Sequence, residues 1–117
     1  MTAEGISTTA QVRVETLPAA SVVTVEGEVD MATAPLVQSG VDEALDTGAR
    51  VLIVDLSQVK FFGSAGLSVL LTAAEKLPES GLRVVASAAV RRPIEITGLD
   101  KLLTIFDTVE QAMDSSV

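Results

Sequence analysis

The pattern of apolar positions divides the chain into short segments that predict alternating strands and helices. Two runs rich in β-branched residues, near 11–16 and 21–27, flank the segment 17–20, in which Pro18 favours a turn, so a hairpin is predicted. The run 51–54 is continuously aliphatic, which is typical of a central strand covered on both faces. These segments predict one edge and the centre of a sheet.

Apolar residues at helical spacing predict helices between the strands. The first helix is expected from about 33 to 46, with Thr33 or Ala34 as its cap residue and Pro35 in its first turn. The second helix is predicted to begin at Ser64 and to end before Pro78. The residues expected on its core face are Leu67, Leu70, Leu71, Ala74 and Leu77.

The rest of the chain continues the alternation. Its predicted elements are a strand at 82–86, a helix at 90–97, a strand at 102–106 and a helical turn at 109–113. The stretches 27–33 and 56–63 are interpreted as turn and loop. The order β-β-α-β-α-β-α-β-α is that of an α/β fold with a mixed, mostly parallel sheet, and the hairpin supplies its antiparallel edge.

Length and composition fit one domain. The chain of 117 residues is 48% hydrophobic, enough to bury a core without disulfides or metal ions. We expect a single domain over 1–117, with its core at about 12–112 and a polar N-terminal segment at 1–10.

The charged and reactive residues exclude several classes of function. Cys and His are absent, which removes disulfides, thiol nucleophiles and all catalysis based on histidine, so we do not expect an enzyme. The 16 acids against 8 bases give a net charge of -8, which disfavours nucleic acid and anionic membranes as partners. No signal peptide or membrane span is evident, so a cytoplasmic protein is expected.

The loop that leads into the second helix contains the first candidate site. Ser64 stands at the mouth of that helix, and its residue type and position favour a plain N-cap, although a functional hydroxyl remains open. A nucleophile elbow of the G-x-S-x-G type is excluded because Phe62 stands where glycine is required and no histidine can act as base.

The side of the second helix opposite its expected core face is unusual. It is predicted to carry small, weakly polar residues instead of charges: Ala65, Ser68, Val69 and Thr72. Such a surface suits docking of another protein, but small exposed residues are also simply tolerated on helices, and both interpretations stay open.

Asp30, after the second strand, is the other candidate. By residue type it caps the turn or the first helix. It is predicted to lie beside the Ser64 loop, because both follow strands that run parallel in this topology. A Mg²⁺ site is disfavoured. Glu26 and Glu28 occupy alternate positions of the strand, on one face, whereas Asp30 lies beyond the strand end, so the three carboxylates are not expected to converge.

Four segments in this order resemble the STAS domain, and within it the small stand-alone anti-sigma factor antagonists of bacteria. The segments are Gly-Glu-Val-Asp at 27–30, followed by Thr33, Ala34 and Leu36; Val-Asp-Leu-Ser at 54–57, with Val59 and Phe61; Ser-Ala-Gly-Leu at 64–67; and Thr-Gly-Leu-Asp at 97–100, with Leu103. The likeness covers about 12–112. It implies the same mixed sheet with packed helices, in agreement with the apolar pattern.

The resemblance also implies a function. An antagonist of this family binds an anti-sigma factor that is itself a serine kinase and so releases a sigma factor. Phosphorylation of a loop serine, which maps onto Ser64, reverses the binding, and a phosphoserine phosphatase is a further implied partner. The implied partner-binding residues are Asp30, Gly63, Ser64, Ala65, Ser68, Val69 and Thr72. ATP and Mg²⁺ belong to the kinase, so the chain needs no cofactor.

The chain departs from the family pattern on both sides of the serine. The family usually has Asp before it and a second Ser or Thr after it, whereas this chain has Gly63 and Ala65. Ser64 is therefore the single residue with an acceptor hydroxyl in the segment 61–67. A STAS-like module without a switch, which binds a protein or small ligand and can serve as the soluble partner of a transporter, is the alternative.

Overall fold

The computed structural model describes residues 10–114, which form five strands and four α-helices. The strands are β1 (Ala10–Thr16), β2 (Ser21–Val29), β3 (Leu52–Phe62), β4 (Leu82–Ala86) and β5 (Thr104–Phe106). The helices are α1 (Ala34–Leu45), α2 (Ser64–Glu75), α3 (Ala88–Thr97) and α4 (Val109–Asp114), with a 3₁₀ turn at Leu99–Lys101. The predicted order of elements is confirmed. Residues 1–9 of the expected polar segment lie outside the described part, and Ala10 is a buried residue of β1.

The strands form one sheet in the order β1-β2-β3-β4-β5. β1 pairs antiparallel with β2, and the other neighbours are parallel, so the predicted antiparallel edge is confirmed. The centre of the sheet is β3, where Leu52, Ile53 and Val54 are each at most 1% exposed. A strand covered on both faces was predicted here from its continuous aliphatic run, and the structure confirms it.

The two faces of the sheet are covered unequally. The first three helices pack on the face that carries Val23, Val54 and Val84, and together they form the main core. The opposite face, with Val22 and Ile53, is covered in the described chain by the short helix α4 and the hairpin turn. This gives a thick helical layer on one side and a partly open sheet on the other.

Helix α1 follows its predicted pattern closely. Thr33 is its N-cap residue, and Pro35 occupies the first turn, where a missing N–H costs nothing. Gly40 is buried, and a Cβ atom there would lie 2.7 Å from Cγ1 of Val12. The glycine that weakens the helix by propensity is therefore the residue that lets α1 pack closely on β1.

The segments expected as turn (27–33) and loop (56–63) begin as strand, so the expectation was wrong for 27–29 and 56–62, whereas 30–33 form the expected turn. β2 continues to Val29 and β3 to Phe62, and the two pair along this extension. The register shifts between Gly27 and Glu28, where Gly27 has a positive φ of 101°, as at a β-bulge. The bulge and the polar residues of β3 interrupt the alternation that marks a strand in sequence.

The rotation of α2 about its axis also differs from expectation. Its buried residues are Gly66, Val69, Leu70 and Ala73, whereas Leu67, Ala74 and Leu77 are half-buried and Leu71 is 39% exposed. The expected core face is thus offset by about one residue. Near the C-terminus, β5 begins at Thr104 instead of 102, and Leu102 is exposed.

Candidate functional site

The carboxyl ends of β2 and β3 meet at one edge of the sheet. Val29 pairs with Phe62, and the N–H of Gly63 donates to the carbonyl oxygen of Val29 at 2.9 Å. Each strand continues directly into the turn that starts a helix. Asp30 and Ser64 are therefore brought to the same edge, as the parallel topology predicted.

Asp30 organises the turn between β2 and α1. Its Oδ1 accepts hydrogen bonds from the backbone N–H groups of Ala32 at 2.9 Å and Thr33 at 3.0 Å. In return, the N–H of Asp30 donates to Oγ1 of Thr33 at 2.9 Å. The Thr33 hydroxyl donates toward two acceptors that share its proton, the carbonyl oxygen of Glu28 at 2.7 Å and Oδ1 of Asp30 at 3.1 Å. The expected turn-capping role of Asp30 is thus realised, and Thr33 is its reciprocal partner.

These hydrogen bonds favour the charged form of Asp30. The backbone N–H of Thr33 is the largest influence that lowers the pKa of the Asp30 carboxyl below its ordinary value of 3.8, partial burial opposes it, and the Thr33 hydroxyl and the Ala32 N–H act in the same direction as the first. Asp30 therefore contributes a full negative charge to this edge at neutral pH.

Ser64 is not the cap residue of α2, contrary to expectation. The N-cap is Gly63, in an extended conformation, and no side chain caps the helix. The carbonyl of Gly63 accepts from the N–H groups of Gly66 at 3.0 Å and Leu67 at 3.2 Å. Ser64 is the first helical residue, and it is exposed. Its hydroxyl is accordingly presented at the positive end of the helix dipole.

Gly66 positions the first turn of α2 against the sheet. A Cβ atom at this residue would lie 2.7 Å from Cε1 of Phe62 and 2.9 Å from Cγ1 of Val29. Real Cβ atoms do not come so close to their neighbours, so the helix can approach β2 and β3 only with glycine here. Because Ser64 is two residues away, this close contact also determines where its hydroxyl stands.

Gly63 leaves room for an aromatic ring beside the serine. A Cβ atom at Gly63 would lie 3.2 Å from Cε2 of Phe61, whose side chain is 53% exposed. An Asp at this position, as the resemblance to the STAS domain would imply, would require the ring to shift by a few tenths of an ångström. The departure at Gly63 thus goes together with an exposed Phe61 next to Ser64.

The face predicted for docking is only partly at the surface. Ser68 is exposed, Ala65 and Thr72 are half-buried, and Val69 is 5% exposed, so placing Val69 on the solvent side was wrong. The rotation of α2 that buries Gly66 accounts for this. In place of Val69, the helix exposes Leu71, in line with Ser64 and Ser68 along one side.

Sequence reasoning missed an apolar groove on the same helix. A cavity of about 270 Å³ lies between α2 and the turn that follows α3. Its apolar lining comes from Leu67, Leu71, Leu99 and Leu102. The i, i+4 spacing of Leu67 and Leu71 was assigned to the core, and only the packed position of the helix shows that it faces a surface groove.

Two further findings concern residues 10–114. No group of three or more acidic side chains in this part of the chain is arranged to hold a metal ion. No helix in it is long and apolar enough to cross a membrane.

The structure combines a mixed five-stranded sheet with a helix that begins at Ser64 and a neighbouring turn that is held by Asp30. Together these features indicate the class of protein to which the chain belongs. The family model described as the STAS domain matches residues 11–112, so the chain belongs to the STAS domain family.

Several relatives within that class are anti-sigma factor antagonists by name. The anti-sigma-F factor antagonist RsfB of Mycobacterium tuberculosis is 38% identical over 95 residues, which are 80% of this chain and 78% of RsfB. The crystal structure of an anti-sigma factor antagonist from Mycobacterium paratuberculosis shares 42% identity, with a TM-score of 0.83 over 89% of this chain and 91% of that one. SpoIIAA in its unphosphorylated form, at 20% identity, has a TM-score of 0.71 over 89% of this chain and 94% of that one and shares the fold.

Proposed function

We propose that the chain is an anti-sigma factor antagonist whose binding is switched off by phosphorylation of Ser64. The observation that carries the proposal is the exposed hydroxyl of Ser64 on the first residue of α2, at the sheet edge where Asp30 also lies. The names of relatives at 38% and 42% identity support the same role. The partner in this proposal is an anti-sigma factor with serine kinase activity.

In the unphosphorylated state, the surface around Ser64 is suited to close contact. Over its first two turns, the exposed side of α2 carries Ser64, Ser68 and Leu71, which are uncharged, and Phe61 adds an aromatic ring at the start of the helix. Glu75, at the far end of α2, is the charged residue on this side. Desolvating such residues costs little compared with desolvating charges, because they lose few hydrogen bonds to water. The carboxylate of Asp30 supplies one negative group at the rim, for a complementary base on the partner.

Phosphorylation would change the charge of this surface more than its shape. The Oγ of Ser64 forms a bond to the γ-phosphorus of ATP, ADP leaves, and the hydroxyl proton is released. The product carries about -1.5 to -2 charges at neutral pH. Within the chain, the start of α2 tolerates an anion. A partner surface fitted to a neutral hydroxyl and to Asp30 would meet two neighbouring anions instead, so it would be released.

Substitutions at Ser64 test the switch directly. The binding of each variant to purified anti-sigma factor kinases of the source organism is measured by titration calorimetry. Ser64→Ala is expected to bind like the parent and to resist release by ATP. Ser64→Glu is expected to bind at least about 10-fold more weakly, because a charge enters the interface. Mass spectrometry after incubation with the kinase and ATP should show one added phosphate in the parent and none in Ser64→Ala.

Ser68 offers a matched control on the same helix. It is an exposed serine one turn further along α2, and Ser68→Ala is expected to retain phosphorylation by the kinase. A phosphate that persists in Ser64→Ala would contradict the assignment. If parent, Ser64→Ala and Ser64→Glu bind with equal affinity and no phosphate is added, the switch is refuted, and the non-switching interaction module remains.

A further inference from the structure

The outer edge of β1 has no strand beside it within residues 10–114. β1 is the first strand in the sheet order, and β2 is its one neighbour there. β1 is seven residues long, whereas β5, at the opposite edge of the sheet, has three residues. An edge strand presents a row of N–H and C=O groups that can pair with another extended chain. The length of β1 makes it the stronger of the two edges for such pairing.

The alternation of hydrogen bonds identifies which residues face this edge. The N–H of Leu17 donates to the carbonyl of Ala20 across the hairpin at 2.9 Å. Hydrogen-bonded pairs alternate along an antiparallel ladder, so the odd-numbered residues of β1 bond to β2. The even-numbered residues, with Val12 and Val14 at the centre, therefore direct their N–H and C=O groups outward.

The charges of β1 are self-complementary about Val14. Arg13 and Glu15 flank it, are exposed, and point to the same face of the sheet. In an antiparallel pair of two copies centred on Val14, Arg13 of each copy stands opposite Glu15 of the other. Opposite charges at directly facing positions stabilise strand pairs. Val14 then lies opposite Val14 of the other copy. Because the N–H and C=O groups of Val14 point outward, the two residues can exchange both backbone hydrogen bonds.

A groove of mixed lining, in which Ser39 and Glu43 of α1 accompany apolar residues, runs along the same edge on the helical side. A cavity of about 280 Å³ lies between α1 and β1, and its apolar lining includes Val12, Val14 and Leu36. Leu36 is 48% exposed on α1. Antiparallel pairing of two β1 strands places a two-fold axis perpendicular to the sheet, so the α1 helices of both copies would lie on the same side of the sheet. Leu36 of each copy would then lie beside the interface, on the side of the groove.

We propose that two copies of this chain pair through the outer edges of β1, antiparallel and centred on Val14, to form one continuous ten-stranded sheet. The register is the one that matches Arg13 with Glu15 twice. Ser64 and Asp30 follow β3 and β2, further into the sheet, so each dimer presents two copies of the candidate site. The proposal does not depend on the function of that site.

Charge-reversed variants test this register with the full chain. The dimer dissociation constants of the parent and of each variant are measured by sedimentation equilibrium at about 0.15 M salt. At this concentration interactions between distant charges are screened, whereas directly facing charges still interact. Arg13→Glu and Glu15→Arg are each expected to weaken dimerisation about 10-fold or more, because like charges then face each other twice. An equimolar mixture of the two variants is expected to restore the dimer. One copy then carries acids at both positions and the other carries bases at both, so opposite charges face each other twice again.

Net charge alone predicts a different result. Glu15→Arg replaces an acid by a base and changes the formal charge from -8 to -6, which by itself would favour association. Arg92→Glu, at an exposed residue of α3, makes the same change as Arg13→Glu away from β1 and is expected to leave the dimer unchanged. Failure of the mixture to dimerise, or equal effects of Arg92→Glu and Arg13→Glu, would overturn the register.

Hydrogen exchange distinguishes a second copy from other occupants of the edge. The amides of Val12 and Val14 are expected to become protected as the protein concentration rises, because their partner is another molecule. Protection that is the same at all concentrations would mean that another part of the same chain covers β1. That result, or a parent chain that stays monomeric at millimolar concentration, would overturn the proposal.

Discussion

Asp30 combines a structural task with a charge at the candidate site. Its carboxylate accepts the N–H groups of Ala32 and Thr33, and so holds the turn from which α1 starts. The same turn stands at the sheet edge beside Gly63 and Ser64. Removing the side chain would therefore disturb the turn as well as any partner contact, so an informative variant must keep the hydrogen bonds and remove only the charge.

Asp30→Asn is expected to show this charge in the pH dependence of stability. The amide oxygen of Asn can still accept both N–H groups, but more weakly than a carboxylate. Because folding lowers the pKa of Asp30, its stabilising contribution is full above the ordinary value of 3.8 and is lost as pH falls through the folded-state pKa. Urea unfolding of parent and variant from pH 7 to pH 2 should show the advantage of the parent shrinking below about pH 4. A difference independent of pH would contradict this.

The orientation of helix α2 is determined by its smallest residue. Gly66 faces Phe62 and Val29, where no Cβ atom fits, and this contact turns Val69 and Leu70 into the core. A hydrophobic wheel weights large apolar residues, so it pointed Leu71 inward instead. The result is a helix whose surface side carries Ser64, Ser68 and Leu71, next to the apolar groove.

Alanine substitutions of two adjacent leucines, Leu70 and Leu71, test this orientation of α2. Leu70→Ala is expected to lower the free energy of unfolding by about 2–5 kcal/mol, since Leu70 is 1% exposed and its removal leaves a cavity. Leu71→Ala is expected to cost about 1 kcal/mol, because Leu71 is 39% exposed and the site stays open to water. Chemical denaturation of both variants checks the difference. Equal losses would place the helix in the rotation expected from the sequence.

At the scale of the whole molecule, the second face of the sheet depends on its C-terminal helix. Ala112 packs with Val22, Ile53 and Val85 to form the smaller apolar cluster. Arg83, on β4, is buried, and its Nη1 donates to the carbonyl oxygen of Ala112. A cation at the C-terminal end of a helix is favourable because carbonyl groups there have no partner within the helix. The C-terminal helix is thus fastened to the sheet by a polar contact as well as by packing.

Arg83→Met tests this attachment. Met retains much of the length of the side chain but cannot donate, so the carbonyl of Ala112 loses a charged partner, at a cost of about 1–3 kcal/mol. We expect the amides of α4 to exchange faster in the variant, while those of α1 change only as far as global stability does. Hydrogen exchange with mass spectrometry resolves the two regions. An equal increase in both would show that α4 does not open separately.

Much of the architecture could be read from local patterns. The aliphatic run 51–54 identified the central strand, the segment 17–20 identified the hairpin, and Pro35 identified the start of α1. These signals are local because strand burial, turn geometry and helix initiation depend on a few consecutive residues. The approach of Asp30 to the Ser64 loop also followed from sequence, since parallel strands bring their carboxyl ends to one edge.

Contacts between distant segments decided the rest. The length of β3 depends on its pairing with β2 around a bulge at Gly27, which interrupts the pattern in sequence. The cap of α2 is Gly63 instead of Ser64. Val69 is buried because Gly66 packs against Phe62 of β3, a contact that the apolar pattern of the helix alone does not show. Sequence determined which elements form and in what order. The tertiary structure alone decided how far β2 and β3 extend and which side of α2 faces water, because close packing selects among rotations that local propensity leaves nearly equal in energy.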